Sequence, residues 1–224
     1  LTGNMTIAMG DGNDSLGAAK LKDGDSIDMG AGNDSVGIML TGSNGTPSYA
    51  SLNITKLDGG AGTDTLSFGN IGSQGSTELT LTHGGVTNFE NISGTGGADI
   101  IRGDAGNNVL IGGGGIDNIY GGAGNDTLWA GQFNHSGWSS ADTTDDNLYG
   151  GAGDDILRGS HGDNIIDGGA GRDQIINTGN GADTIVIRPG SGGSTQNTAD
   201  FHHQWDIDSG DIIGLDGGLQ YSDL

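Results

Sequence analysis

The sequence predicts an all-β fold, a two-sided parallel β-roll with loop insertions and a C-terminal cap, on three observations. A nine-residue pattern, G-G-x-G-x-D-x-U-x with an apolar residue at U, recurs about eleven times along the chain. The eighth position of the copies is always Leu, Ile or Val. Glycine supplies 49 of the 224 residues and proline only 2, a balance that suits closely stacked turns and excludes collagen and proline-rich linkers.

Each copy of the pattern contains a turn followed by a short strand. The last three residues alternate, as in Thr127-Leu128-Trp129, so that the middle aliphatic side chain points inward. The first six residues turn the chain, and their glycines permit positive φ and close stacking of neighbouring turns. Two copies make one coil of the solenoid, so equivalent turns lie two repeats apart and stack at about 4.8 Å, the spacing between strands.

The repeats divide the chain into three predicted parts. Looser copies with insertions occupy residues 1–93, the regular β-roll occupies residues 94–188, and a segment without the period, residues 189–224, is expected to cap the last rung. Inserted stretches interrupt the period at residues 38–57, 68–93 and 130–145.

The charge balance excludes several functions. Asp and Glu number 29 against 7 Lys and Arg, a formal net charge of −22, and only Glu78 and Glu90 are glutamates. Such a chain is repelled by nucleic acid and by anionic membranes. The chain has no Cys, which excludes disulfides and thiolate metal sites. Because low hydrophobicity with high net charge predicts disorder, the fold requires something that neutralises the carboxylates.

Aspartate at the sixth position of the pattern indicates a metal site. In a roll with two copies per coil these aspartates stack in a column along each edge, where carboxylates without cations repel each other. A hard divalent cation removes the repulsion when aspartates and carbonyl groups of the glycine turns hold it, and such all-oxygen coordination favours Ca²⁺ over Mg²⁺. The candidate ligands are the position-six residues Asp14, Asp34, Asp64, Asp99, Asn108, Asp117, Asp126, Asp146, Asp155, Asn164, Asp173 and Asp183, and the position-four glycines Gly97, Gly106, Gly115, Gly124, Gly153, Gly162 and Gly171.

Two of these positions depart from aspartate, and one acid lies outside them. The sites at Asn108 and Asn164 are expected to be weaker or dominated by carbonyl groups, because an amide side chain carries no charge. Asp104 occupies the second position of its copy, where the pattern has glycine, and is expected to contribute no ligand.

The repeat resembles that of the RTX family of secreted bacterial proteins, whose haemolysin-type nonapeptides bind calcium. Two flanking segments strengthen the resemblance: Asn88-Phe89-Glu90-Asn91-Ile92 before the regular run, and Asp211-Ile212-Ile213-Gly214-Leu215 after it. The resemblance implies a calcium-stabilised β-roll that binds multiple Ca²⁺ ions, about five to ten for a roll of this length. It also implies type I secretion from a Gram-negative bacterium and folding outside the cell.

The sequence offers no catalytic motif, and we expect no enzyme activity in this chain. It contains neither a G-x-S-x-G nucleophile turn nor an H-E-x-x-H zinc motif. Adjacent His202 and His203 would point in opposite directions on an extended chain, which argues against a zinc pair.

Two roles stay open. The chain is either a module of a surface, adhesin or matrix protein, or the C-terminal secretion and folding module of a secreted hydrolase or epimerase. The expected partners are calcium ions and, in the first role, an extracellular polysaccharide or another surface protein. Nucleic acid binding and membrane insertion are not expected.

Overall fold

The computed structural model describes residues 4–19, 25–38, 56–68, 78–80, 86–131, 142–176, 181–187, 201–203 and 212–215. In these ranges the chain forms twenty β-strands and no helix. Every pairing between the strands is parallel. The all-β, parallel architecture predicted from the repeat is therefore confirmed.

The strands form three sheets. A four-stranded sheet contains β1 (Thr6–Asp11), β3 (Ser26–Ala31), β5 (Lys56–Asp58) and β8 (Val86–Thr87). A seven-stranded sheet contains β7 (Glu78–Thr80), β10 (Ile100–Arg102), β12 (Asn118–Ala123), β14 (Asn147–Ala152), β16 (Ile165–Ala170), β18 (Thr184–Ile187) and β20 (Ile212–Leu215). A nine-stranded sheet contains β2 (Ser15–Ala19), β4 (Ser35–Ile38), β6 (Thr65–Phe68), β9 (Asn91–Ser93), β11 (Val109–Gly113), β13 (Thr127–Gly131), β15 (Ile156–Arg158), β17 (Gln174–Ile176) and β19 (Phe201–His203).

Two repeats make one coil of the roll. From β9 to β20 the odd-numbered strands lie in the nine-stranded sheet and the even-numbered strands in the seven-stranded sheet. Ile101 therefore pairs with Ile119, two repeats later, and Leu110 pairs with Leu128. The nine-stranded sheet also crosses the predicted boundary at residue 93 without a break, because β9 pairs with both β6 and β11.

Two files of aliphatic side chains, one from each face, fill the space between the faces. The eighth residue of each described repeat points inward, and in the pairing register it meets the eighth residue of the next coil, as Ile119 meets Leu148 and Leu148 meets Ile166. From Ile27 onward these side chains are at most 1% exposed. The members are Ile27, Val36, Leu57, Leu66, Ile92, Ile101, Leu110, Ile119, Leu128, Leu148, Leu157, Ile166, Ile175 and Ile185.

The insertions begin later and end earlier than the sequence pattern indicates. Phe68 is buried in β6, and Ala130 is buried in β13, so both residues belong to coils rather than to inserted stretches. Within the predicted insertion 68–93, Glu78–Thr80 forms strand β7, which pairs with β10. Asn91–Ser93 is a further coil strand, and the chain has rejoined the roll at Asp142. The aromatic residues of 132–141 lie outside the described residues.

The last two described strands extend both faces. β19 pairs with β17 and β20 pairs with β18, again in parallel. The segment expected to cap the roll thus begins by continuing its two sheets, and the rest of residues 189–224 lies outside the described residues.

Glycine at the second position of a repeat is required by close stacking. Gly151 has a φ of 116°, a conformation that a residue with a Cβ rarely adopts. A Cβ at Gly151 would also collide with the carbonyl oxygen of Gly122 in the preceding coil. Gly114 differs on both counts, because its φ is not positive and its Cβ would meet nothing closer than 3.8 Å.

We predict that Gly151→Ala lowers the free energy of unfolding by at least about 2 kcal/mol, because it adds a clash to a left-handed backbone. Gly114→Ala should change it by less than about 1 kcal/mol. Urea unfolding of both variants in saturating Ca²⁺ measures the difference. Equal destabilisation would show that stacking of the turns does not set the glycine requirement.

Candidate metal centre

The position-six side chains form two buried columns, one along each edge of the roll. Each side chain lies directly before a strand, so the regular strand spacing stacks these side chains coil upon coil. All of them are at most 2% exposed except Asp14 in the first coil and Glu90, which are half-buried. One column contains Asp99, Asp117, Asp146, Asn164 and Asp183. The other contains Asp14, Asp34 and Asp64, followed after Glu90 by Asn108, Asp126, Asp155 and Asp173.

One oxygen of most position-six carboxylates joins two coils. The backbone N–H of Asp99 donates to Oδ1 of Asp117 at 2.8 Å, and the N–H of Asp126 donates to Oδ1 of Asp155 at 2.7 Å. The same bond crosses the inserted stretch, since the N–H of Asp117 donates to Oδ1 of Asp146 at 2.8 Å. A position-six aspartate therefore holds the backbone of the preceding coil whether or not a cation is bound.

The second oxygen of many of these carboxylates is left for another partner, whereas Oδ2 of Asp99 accepts from Thr95 and Oδ2 of Asp146 accepts from Ser160. Within the described part of the chain, buried Oδ2 atoms without a hydrogen-bond partner include those of Asp14, Asp34, Asp64, Asp117, Asp126 and Asp155. A buried carboxylate oxygen without a partner is costly unless a cation compensates it. This donor set of hard oxygens fits Ca²⁺.

Asn164 shows which groups converge on a position-six side chain. Its amide nitrogen donates to the carbonyl oxygens of Ser160 and Gly162 at 3.1 and 2.8 Å, and it lies 2.9 Å from Oδ1 of Asp183. Positions two and four of the loop therefore present carbonyl groups to position six. Aspartate has no hydrogen to donate to such carbonyls, so a cation would bind them together with Oδ2. In the Asn164 loop the amide already occupies the carbonyls, in line with the weaker site expected there.

The loops fall into two conformations. Gly115, Gly124, Gly153 and Gly171 at position four have positive φ, and each follows a position-two glycine that also has positive φ. Gly97, Gly106 and Gly162 do not have positive φ. Their loops carry Thr95, Asp104 or Ser160 at position two. A carbonyl that faces position six is seen for Gly162; for the other glycines the ligand role remains a prediction.

The sequence interpretation missed three acids of the site. Asp25, which is 1% exposed, accepts the N–H of Met5 at 2.8 Å, as a position-six aspartate does. Glu90 takes the place of aspartate in its column, and its Oε2 accepts the N–H of Asp64 at 2.7 Å. Asp142 is buried beside Asp117 and Asp146. Counting in nines does place Asp25 and Glu90 at position six, but their repeats lack the flanking glycines that make the pattern recognisable.

Asp104 is closer to the site than the sequence indicated. Its Oδ1 accepts the N–H of Gly106 at 2.7 Å, and its charge raises the pKa of Asp126 in the next coil. The carboxylate that Asn108 lacks at position six is thus supplied nearby at position two. A substitution of Asp104 is therefore unsuitable as a control that lies far from the metal site.

A second row of side chains lies outside the first and binds in the opposite direction. At position five the N–H of the later coil donates to the side chain of the earlier coil, as from Asp154 to Asn125 at 2.9 Å and from Ala182 to Asp163 at 2.8 Å. These side chains are exposed, so their charges are solvated. The outer row therefore holds neighbouring coils together, and its solvated charges need no cation to compensate them.

Burial and like charges make the inner columns resist ionisation. Burial is the main cause that raises the pKa of Asp117 to about 9, and the neighbouring charges of Asp146, Asp99 and Asp142 add to it. Burial likewise raises the pKa of Asp126 and of Asp146 to about 6. At neutral pH the metal-free columns must therefore either hold protons or remain charged and repel each other.

Stacked aspartates and glycine-turn carbonyls in a parallel solenoid define the class of protein, a calcium-binding β-roll. The family model of the RTX calcium-binding nonapeptide repeat matches the chain in four copies, at residues 56–70, 85–118, 103–134 and 140–175, which together span a little under half of its length. These matches identify the repeats of the chain as RTX calcium-binding nonapeptide repeats, a kind of repeat that binds Ca²⁺. No curated protein matches the chain. In the described ranges no helix has the length and apolar character needed to span a membrane.

We predict that Asp126→Asn raises the Ca²⁺ concentration at half-folding by about threefold to tenfold, because ligand charge sets affinity. The asparagine can still accept the N–H of Asn108, which donates at 2.8 Å, so the bond between the coils is kept. The charge is removed, and an amide that can donate to the loop carbonyls takes its place, as in the Asn164 loop. Asp163→Asn is the matched control, since it removes one exposed charge and keeps an acceptor for Ala182. Calcium titration followed by circular dichroism measures both midpoints. Equal shifts would favour diffuse charge neutralisation over defined sites.

We also predict opposite pH dependences with and without calcium. In the metal-free roll the pKa of Asp117, Asp126 and Asp146 lies above the ordinary value of 3.8, so protons stabilise the fold. That stabilisation is complete below pH ~4 and is lost as pH rises through the folded pKa values, about 6 to 9. In excess chelator, β structure should therefore decrease between mildly acidic and mildly alkaline pH.

With calcium the same chain should stay folded at alkaline pH, and the calcium midpoint should fall as pH rises, since Ca²⁺ and protons compete for the same oxygens. Far-ultraviolet circular dichroism across pH, with chelator, Ca²⁺ or Mg²⁺, measures this. A β signal at pH 8 in excess chelator would contradict the coupling of folding to calcium.

Proposed function

We propose that the chain is a module of a secreted bacterial surface, adhesin or matrix protein that folds on binding Ca²⁺ outside the cell. The observation that carries the proposal is the set of buried Oδ2 atoms in the stacked aspartate columns, represented by Asp117, Asp126 and Asp155. Their negative charges oppose folding until a cation arrives, so calcium concentration decides whether the roll exists.

Calcium-coupled folding matches a protein that crosses from one compartment to another. Calcium sites of extracellular modules work at about 10⁻⁴ to 10⁻³ M, far above the free concentration inside a cell. A chain with a net charge of −22 and no Cys stays extended inside the cell without forming disulfides. We propose the type I route of a Gram-negative bacterium, which exports unfolded chains, and about five to ten ions bound after export.

The inserted stretches support the surface-protein role. Paired residues in regular coils are 18 positions apart, whereas the pairs Asp117–Asp146 and Asp126–Asp155 are 29 apart, so extra chain emerges between coils of an uninterrupted sheet. Such excursions are places where a rigid scaffold carries binding elements. An extracellular polysaccharide or another surface protein is the partner that we propose for them.

The second candidate is the C-terminal secretion and folding module of a secreted hydrolase or epimerase. In both roles we propose that this chain itself is not catalytic. Its buried aspartates each hold a backbone N–H of the preceding coil with one oxygen, which commits them to the fold and the cation rather than to a substrate.

We predict that the protein is found outside the cells that produce it. Antibodies against the chain, applied to intact cells, washed surface material, culture medium and cytosol, measure its location. Retention on the cell surface supports the adhesin or matrix role, and release into the medium together with a hydrolase or epimerase activity of the same polypeptide supports the second candidate. Confinement to the cytosol would overturn both.

A further inference from the structure

Asp142 brings a third carboxylate to a pair of stacked position-six aspartates. Asp117, Asp142 and Asp146 each offer a carboxylate oxygen within 4.8 Å of the other two, and all three side chains are buried. Asp142 lies four residues before Asp146, which is the second position of that repeat, where the pattern has glycine. It is also the first described residue after the stretch 132–141.

Asp117 and Asp142 are each held in place by only one of their two oxygens. Both oxygens of Asp146 have partners, since Oδ1 accepts the N–H of Asp117 at 2.8 Å and Oδ2 accepts the hydroxyl of Ser160 at 2.6 Å. Oδ1 of Asp142 accepts hydrogen bonds from the hydroxyl of Thr144 at 2.5 Å and from its N–H at 3.2 Å. Oδ1 of Asp117 accepts the N–H of Asp99 at 2.8 Å. The Oδ2 atoms of Asp142 and Asp117 are buried and have no hydrogen-bond partner in the described part of the chain. The residues are at most 6% exposed, so water does not compensate these oxygens.

Loops with a hydroxyl residue at position two show what a carboxylate changes there. The hydroxyl of Thr95 lies 3.0 Å from Oδ2 of Asp99, and the hydroxyl of Ser160 lies 3.0 Å from Oδ1 of Asn164. A hydroxyl at position two can donate to the position-six side chain of its own loop. A carboxylate at the same place has no proton to donate, and it adds a negative charge to the charges of Asp146 and Asp117.

We propose that Asp117, Asp142 and Asp146 form a three-carboxylate Ca²⁺ site, the tightest in the roll, at the point where the chain re-enters after residues 132–141. The proposal rests on calcium binding by the repeats and assigns to one loop a ligand that the repeat pattern lacks. Three carboxylates around one ion exceed the two that a stacked pair provides, and the charge of the ligands sets the affinity of calcium sites.

The site joins the two sides of the insertion. Asp117 belongs to the coil before the stretch 132–141, and Asp142 and Asp146 belong to the coil after it. The strands that follow Asp117 and Asp146, β12 and β14, pair directly in the seven-stranded sheet. An ion shared by the three carboxylates joins the two ends of this long connection. Closing such a connection costs more chain entropy than closing a loop between regular coils.

Isothermal titration calorimetry of the full chain with Ca²⁺ tests the proposal on the wild type, Asp142→Asn, Asp142→Ser and Asp163→Asn. The serine variant reproduces the arrangement at Ser160, and circular dichroism in saturating Ca²⁺ verifies that each variant folds. We expect both Asp142 variants to weaken the tightest class of sites by about tenfold or more, or to lose one ion from it. The exposed-charge variant Asp163→Asn should leave that class unchanged.

The remaining outcomes separate this proposal from calcium binding in general. If the wild type binds Ca²⁺ and the Asp142 variants bind it as Asp163→Asn does, Asp142 is not a ligand and the three-carboxylate site is overturned. If the Asp142 variants bind Ca²⁺ more tightly, Asp142 acts only by repulsion, which also overturns it. If the wild type binds no Ca²⁺, calcium binding by the roll fails, and this site fails with it.

Discussion

The structure depends on carboxylates buried at the spacing between strands. A column of aspartates separated by about 4.8 Å concentrates negative charge inside a narrow solenoid with a thin, mostly aliphatic core. Most aspartates in the columns also accept a backbone N–H of the preceding coil, as Asp117 does from Asp99, so an apolar residue cannot replace them freely. The same side chain thus stabilises the stack through the oxygen that accepts the N–H. It destabilises the stack through the other oxygen, which is buried, charged and uncompensated. Calcium resolves this conflict by compensating the second oxygen.

The fold was predictable because one short pattern carries its full geometry. An aliphatic residue every nine positions fixes which side chains enter the core, and the length of two units fixes which strands become neighbours, as the pair Ile101 and Ile119 shows. The edges of the insertions were less predictable, since Phe68 and Ala130 continue a coil without continuing the glycine pattern. Asp25 and Glu90 were missed for the same reason. Their function depends on the position in the coil, which the backbone preserves even where the flanking glycines are lost.

Position two of the repeat adjusts the charge of each loop. Glycine there allows the left-handed turn and leaves the compensation of the carboxylate to the cation. Serine or threonine supplies a hydroxyl that can donate to position six, as Thr95 does to Asp99. Aspartate adds charge, either beside another aspartate, as at Asp142, or beside an asparagine, as Asp104 does for the loop of Asn108. A sequence interpretation that treats position two as glycine or noise cannot distinguish these cases, because the difference lies in which position-six side chain the substituted residue meets in space.

A solenoid in which each coil contacts mainly its neighbours tolerates insertions that would disrupt a conventional core. The separation of paired residues increases from 18 positions for Asp99–Asp117 to 29 for Asp117–Asp146. The hydrogen bond that joins successive coils within the column nevertheless keeps the same length of 2.8 Å. The insertion therefore leaves the packing of the coils intact. Its unfavourable contribution is the chain entropy lost when one longer connection is closed. An additional ligand is most useful at such a junction, because ions elsewhere join coils that a short loop already holds together. The acid that departs from the repeat pattern, Asp142, lies at this junction, where extra cation affinity offsets the entropy of the longer loop.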